Sequence, residues 1–167
     1  MDELEMKKSL SSQPVQQLIR QVIGKTCCRK QVGYRNSMNI GLGCKVFHQN
    51  PKLRDKFYGE WEIGTYNSAW RVVHAGKIIC ASHDPVTSVE ELDATFNRVK
   101  LTSLLSIEQL TDFDVRLIFD HGLSIDFMTT ISDEDEAFHI FCPKSKYVEF
   151  TVGHGWTAGE SNTAWQQ

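Results

Sequence analysis

The chain has 167 residues, 41% of them hydrophobic and 23% charged, and a formal net charge of −3. This is one domain's worth of globular sequence, long enough to bury about two-thirds of its unfolded surface. No apolar run approaches the ~18 residues of a membrane span, and the opening MDELEMKKSLSSQ has no apolar signal core, so a cytoplasmic protein with no membrane partner is expected.

Residues 1–12 are expected to fray. A helix is predicted over 13–23, with Ser11 or Ser12 as its cap, Pro14 in the first turn and Gly24 after the last. Val15, Leu18, Ile19 and Val22 form its apolar face. Strand-like segments follow at 25–34, 38–47, 58–66, 69–74 and 77–81. The run GEWEIGTYNSAWRVV, residues 59–73, carries two of the four tryptophans, Trp61 and Trp70. They are expected to be buried on neighbouring antiparallel strands. A second helix is predicted at 89–98, where Ser88 and Glu91 make a capping box and Val89, Leu92, Phe96 and Val99 a buried stripe. Strands are then expected at 100–109, 113–119, 123–128, 137–142 and 147–152. Phe113, Val115, Leu117 and Phe119 sit on one side of their strand, and Leu123, Ile125 and Phe127 on one side of the next. Segments 48–56 and 129–136 read as exposed loops.

The order α-β-β-β-β-β thus occurs twice. The expected fold is α+β, a single domain over 13–156 followed by a tail at 157–167. Two similar halves, 13–81 and 88–152, would contribute antiparallel sheets to a shared core, with one helix packed on each. Residues 1–60 carry 11 basic against 5 acidic side chains, and residues 61–167 carry 7 against 16. Such asymmetry suits a charged partner or two segregated solvated faces. Cys27, Cys28, Cys44, Cys80 and Cys142 are odd in number and suggest free thiols in a reducing compartment.

Ile23-Gly24-Lys25, Gly33-Tyr34 with Asn36, and Ile40-Gly41-Leu42-Gly43 resemble the opening of a group of small, immunity-like bacterial proteins. Gly59-Glu60-Trp61, Ala69-Trp70-Arg71 and Ala81-Ser82-His83-Asp84 resemble its centre. Gly122, the segment 138–143 and Val152-Gly153-His154-Gly155-Trp156 resemble its end, so the likeness spans about 23–156. The group supplies no catalytic residues to carry over. The polar stretch Gly64-Thr65-Tyr66-Asn67-Ser68 departs from it, where aromatic or apolar residues are expected.

Candidate chemistry is thin. Cys80 with His83 and Asp84 could seed a zinc site, but no second ligand pair accompanies them, so no metal is expected. Cys27-Cys28 precedes Arg29-Lys30, and a nucleophile there would need His48 or His121 as a base. Asp112, Asp114, Asp120 and Asp126 surround two strands and are explained by a solvated face. Arg29, Lys30, Arg35, Lys45, Lys52, Arg54 and Lys56, interleaved with Tyr34, Phe47, Phe57 and Tyr58, raise nucleic-acid binding. The isoelectric point near 6.1 and the lack of a recognition motif weigh against it. Trp156 is expected to close the core, and Trp165 to be exposed unless a partner or a second copy in a homodimer covers it.

The expected function is non-enzymatic and needs no cofactor: an immunity protein that binds and neutralises a cognate toxin domain, a nuclease foremost. Its expected contact set is Asp112, Asp114, Asp120, Asp133, Glu134, Asp135 and Glu136. The competing expectation is a small-ligand or regulatory sensor whose pocket is lined by Trp61, Tyr66 and Trp70. A catalytic cleft joining Asp114, Asp126 and a histidine stands third.

Overall fold

The computed structural model describes residues 12–50, 52–53 and 55–161. The expected fraying of 1–11, Pro51 and Arg54 of the expected loop, and Trp165 lie outside the described residues. Helix α1 spans Gln13–Val22 and buries Val15, Leu18 and Val22. Helix α2 spans Val89–Asn97 and buries Leu92 and Phe96. Ser88 accepts a hydrogen bond from Glu91 N at 3.2 Å, while the Glu91 carboxylate turns to Thr87 N and Oγ1, at 2.9 and 2.7 Å.

The strands are β1 (Cys27–Val32), β2 (Met38–Phe47), β3 (Phe57–Thr65), β4 (Ala69–His74), β5 (Lys77–Ala81), β6 (Leu104–Gln109), β7 (Asp114–Phe119), β8 (Leu123–Met128), β9 (Glu136–Cys142), β10 (Lys146–Thr151) and β11 (Gly155–Glu160). Strand β11 occupies the start of the expected tail and pairs along its whole length with β10, from Thr151↔Gly155 to Lys146↔Glu160. Every ladder is antiparallel. The strands form a six-stranded sheet, β1-β2-β3-β9-β10-β11, and a five-stranded sheet, β5-β4-β8-β7-β6.

Trp61 and Trp70 are both buried, yet they do not lie on neighbouring strands. Strand β3 pairs with β2 and β9, while β4 pairs with β5 and β8 in the other sheet. The segment 66–68 is a crossover between sheets and not a hairpin turn. Its buried ends, Thr65 and Ser68, are polar for a physical cause, because the chain there must satisfy its own backbone. Thr65 Oγ1 accepts from Ser68 N at 2.9 Å, and Ser68 Oγ donates to Ala137 O at 2.8 Å.

The same exchange occurs in the second half. Strands β1-β2-β3 build one sheet before the hairpin β4-β5 joins the other. Strands β6-β7-β8 build that other sheet before β9-β10 returns to the first. The junction β3–β9 thus has the same place in one sheet as β8–β4 in the other. The sheets also meet at one corner. There Thr26 bridges Ser103, Gly24 N donates to Leu104 O at 2.7 Å, and Leu104 N donates to Lys25 O at 3.0 Å.

The inner faces form one apolar cluster. Phe127 of β8 meets Phe138 of β9 across the sandwich at a centroid separation of 5.4 Å, and Trp156 packs on Phe138 and Phe150 at 5.7 and 5.2 Å. The helices do not take one sheet each, as the chain order suggested. Their main strand neighbours are β1 for α2 and β11 for α1, the two edges of the six-stranded sheet. The reason is that each sheet already spends its apolar face on the other, so the open edges are what remain to be covered. Asp93 of α2 accepts from Val32 N at 2.7 Å, satisfying an edge-strand donor, and Phe96 packs on Trp70 at 5.6 Å.

Candidate functional site

The outer face of each sheet carries one buried carboxylate at its centre. On the five-stranded sheet this is Asp126, in register with Arg71 of β4 and Arg116 of β7. Arg71 Nε donates to it at 2.7 Å, and Arg116 donates through Nε at 2.6 Å and Nη2 at 3.1 Å. Its side chain is 0% exposed. Asp126 was expected on a solvated face. It is instead buried beneath two guanidiniums, which cover it while keeping their own outer edges wet. Burial alone would push its carboxyl up, but the bonds from Arg116 and Arg71 outweigh that and hold it below the usual range.

On the six-stranded sheet the carboxylate is Glu62. Register places Arg29, Gly41, Glu62, Phe141 and Tyr147 in one row, and Gln31, Asn39, Gly64, His139 and Glu149 in the next. Gly41 lets Arg29 reach across β2, since a Cβ there would lie 3.0 Å from both Arg29 Cβ and Glu62 Oε1. Arg29 Nη1 donates to the Glu62 oxygens at 3.3 and 3.4 Å, and Gly59 N donates at 2.8 Å. The same guanidinium is shared, through Nη2, with Gln31 and with Asp55 at 2.7 Å. Burial pushes the Glu62 carboxyl up, against the pull of Arg29.

Beside this pair lies a hollow of about 140 Å³ lined by Asn39, His48, Tyr58, Tyr66, Phe141, Arg29 and Glu62. His139 is wedged behind it, its ring 4.8 Å from Tyr66 and 4.4 Å from Phe141. Its Nδ1 meets both Glu136 oxygens at 3.0 Å, while Nε2 is buried without a partner. A wider groove of about 510 Å³ opens on the other side of Arg29, toward Lys30, Asp55, Lys56 and Asp93.

The acidic set is divided by the fold. Asp112 and Asp114 stand at the start of β7, at the end of the sandwich where β8 leaves and β9 begins. Asp114 accepts from Thr111 Oγ1 at 2.8 Å. Asp120 follows β7 at its other end, about 20 Å away at the usual rise of a strand. Asp133, Glu134 and Asp135 are exposed. Their loop is pinned, since Asn67 Nδ2 donates to Asp135 at 2.8 Å and His154 Nε2 meets Glu134 at 3.2 Å. Glu136 turns inward, with a side chain only 15% exposed. Glu149 of β10 belongs to the same field. Burial, then Glu136, push its carboxyl up, and Asp135 adds to the push.

Trp61, Tyr66 and Trp70 do not share a pocket. The two indoles are buried in different sheets, and Trp70 Nε1 donates to Asn36 O at 2.7 Å. Tyr66, 52% exposed, lies on the outer face. Asp126 is hydrogen-bonded to Arg71 and Arg116, and Asp114 to Thr111. Among the described residues no three metal-binding side chains gather, at Cys80 and His83 or elsewhere. All five cysteines are free. Burial pushes the Cys27 thiol up to about 11, and it also raises Cys28, against a nucleophilic role for the pair. The basic half is partly spent internally. Lys30 Nζ donates to Asn97 O at 3.0 Å and to Val99 O, Lys25 meets Glu60 at 3.4 Å, and Lys45 lies 4.7 Å from the Phe57 ring centroid.

Glu62 and His139 were not singled out from the sequence. The usable signal was a glutamate alternating with Trp61 and Ile63, with Gly64 two residues on along the same face. A charge beside an absent side chain on one strand face marks a place where something reaches over. No family model, curated protein or solved structure matches this chain. Among the described residues no helix is long and apolar enough to cross a membrane.

Proposed function

We propose that this chain is a bacterial immunity protein, a non-catalytic cytoplasmic binder that covers the basic surface of a cognate toxin domain, a nuclease foremost. The observation that carries the reading is the pinned acidic crossover. Asp133, Glu134 and Asp135 are exposed on a loop held by Asn67 and His154, and Glu136 and Glu149 extend the same negative field onto the sheet. The field of these exposed carboxylates speeds encounter with a cation-rich partner. Asp112 and Asp114, at the same end, belong to the proposed surface. Asp120, at the far end of β7, does not. The matched strand order of the halves supports reading them as an internal duplication that exchanged its hairpins.

The test is association kinetics with the toxin domain encoded beside this chain's gene. A triple variant, Asp133→Asn, Glu134→Gln and Asp135→Asn, leaves Glu136 in place to hold His139. At low salt it should associate about tenfold more slowly, and the difference should shrink as ionic strength rises. An unchanged association rate would remove the acidic loop from the interface.

A further inference from the structure

At the end of the sandwich where β7 turns into β8, away from the acidic loop, lies a hollow of about 440 Å³. Buried Leu123 and exposed Ile79 give it apolar surface, and the exposed side chains of Arg98, Lys100, His74 and His121 stand around them. Ile79 is the extra residue of a bulge, since Val72 pairs with Cys80 and Val73 with Ile78, and a bulge re-aims the side chain it carries. The walls are held before anything binds. Lys30 Nζ donates to Asn97 O at 3.0 Å and to Val99 O, and Cys27 N donates to Thr102 O at 2.9 Å. Asp120 N donates to Ser103 O at 3.0 Å. The link that carries Arg98 and Lys100 is thus tied to β1 on one side and to the turn that carries His121 on the other. The cations are little used within the chain. Arg98 reaches Thr95 Oγ1 at 3.3 Å, and the Lys100 and His74 side chains have no hydrogen-bond or ion-pair partner among the described residues. Asp120 is spent on His121, accepting from its backbone N at 2.8 Å and standing 3.9 Å from its Nε2.

We propose that this hollow binds a small carboxylic acid with an apolar body, its carboxylate held by Arg98 and Lys100 and its body laid against Ile79 and Leu123. The cations call for an anion, and the planar fork of a guanidinium matches a carboxylate. The apolar surface calls for more than an ion, because only a hydrocarbon body gains by covering Ile79. An apolar hollow with a few convergent charged groups, of this volume, is the usual form of a small-molecule site. A monoanion fits better than a phosphate. Helix α2 ends at Arg98, its C-cap, and so brings its negative pole to this site, which disfavours a doubly charged group. Lys30 covers the carbonyls of Asn97 and Val99, which leaves Arg98 and Lys100 free to answer a single charge. The site lies away from the acidic loop and goes beyond the partner reading.

The test uses 4-phenylbutanoate as the probe, 4-phenylbutanamide as its uncharged counterpart and inorganic phosphate as an anion without an apolar body. Each is titrated into the isotopically labelled full chain and followed by NMR. The expected result is saturable shifts at Ile79, Lys100, Thr102 and Leu123, with a dissociation constant of about 1 mM or tighter for 4-phenylbutanoate. The amide and phosphate should each bind at least about tenfold more weakly. Arg98→Gln should weaken probe binding about tenfold, and Ile79→Ser about threefold. Both side chains are exposed, so the rest of the spectrum should stay in place. Should Arg98→Gln fail to fold, Lys100→Gln decides by the same criterion. Equal binding of the amide or of phosphate, shifts centred elsewhere, or full retention of binding in a folded Arg98→Gln variant would each overturn the proposal. So would the absence of saturable shifts up to about 10 mM probe. The titration requires no toxin, so its failure leaves the partner reading untouched.

Discussion

Replacing Asp126 with asparagine keeps the shape of the side chain and removes its charge. The carboxylate accepts three bonds, at 2.6, 2.7 and 3.1 Å, from Arg116 and Arg71. The amide has one oxygen, so at least one guanidinium N–H would face an NH2 group. A hydrogen bond to a charged group contributes about 1.5–3 kcal/mol, and breaking a fully buried ion pair costs about 3–5. Arg71 and Arg116 are 37% and 33% exposed and can partly turn back to water, which discounts the upper figure. The expected loss is about 2–4 kcal/mol in urea unfolding at neutral pH, or a midpoint lower by about 5–15 °C on heating. The pH dependence has a definite sign. The Asp126 carboxyl is held below its unfolded value, so its stabilisation is present above ~3.9 and is lost as pH falls through the lower folded value. The gap between parent and variant should stay constant from about pH 7 to pH 5 and close in acid. A loss under about 1 kcal/mol, or a gap that does not narrow in acid, would refute the account of Asp126 as a buried, doubly paired anion.

Gly64→Ala should destabilise by about 3 kcal/mol or more, measured by denaturant unfolding, because the added Cβ would lie 2.2 Å from Met38 O, a backbone atom in the β2–β3 ladder. Trp70→Ala should cost about 3–5 kcal/mol by the same assay, since the ring is fully buried and its indole N–H satisfies Asn36 O. With an aromatic disulfide reagent at neutral pH, exposed Cys44 should react first. Cys80 and Cys142, buried and with thiols pushed up to about 11 and about 12, should react only on unfolding.

Local structure was legible where side chains set it. Ser88 and Glu91 mark the start of α2 because the cap bond is made within four residues, and Leu123, Ile125 and Phe127 mark β8 because alternation shows at once which face is buried. Partnership was not legible in the same way. Alternation names a face of a strand and not its neighbour, so nothing in 59–73 separates a hairpin from a crossover. Strand β11 was missed because Gly155, Ala158 and Gly159 carry no alternating apolar side chains, and its extended state comes from pairing with β10. The candidate site was hidden for a related reason. Asp126 occupies a polar alternation position and reads as solvated. Arg71, supplied by the other half of the chain, and Arg116, from the next strand, turn it into a buried anion. Glu62 became a site only when Gly41, on another strand, proved to be the gap through which Arg29 reaches it.

The exchange of hairpins between the halves has a consequence for how the chain is made. When the first half leaves the ribosome, β3 has no β9 beside it and the β4-β5 hairpin has no sheet to join. Both junctions wait for strands that are synthesised later. Folding should accordingly be slow for a chain of this size, since its decisive pairings close long loops. The nascent chain would meanwhile present bare strand edges, the feature through which newly made proteins most readily aggregate. By the same logic, two fragments divided in the link 82–88 should be unfolded or sticky apart. Mixed together they should assemble, each supplying three strands of one sheet and the missing strands of the other.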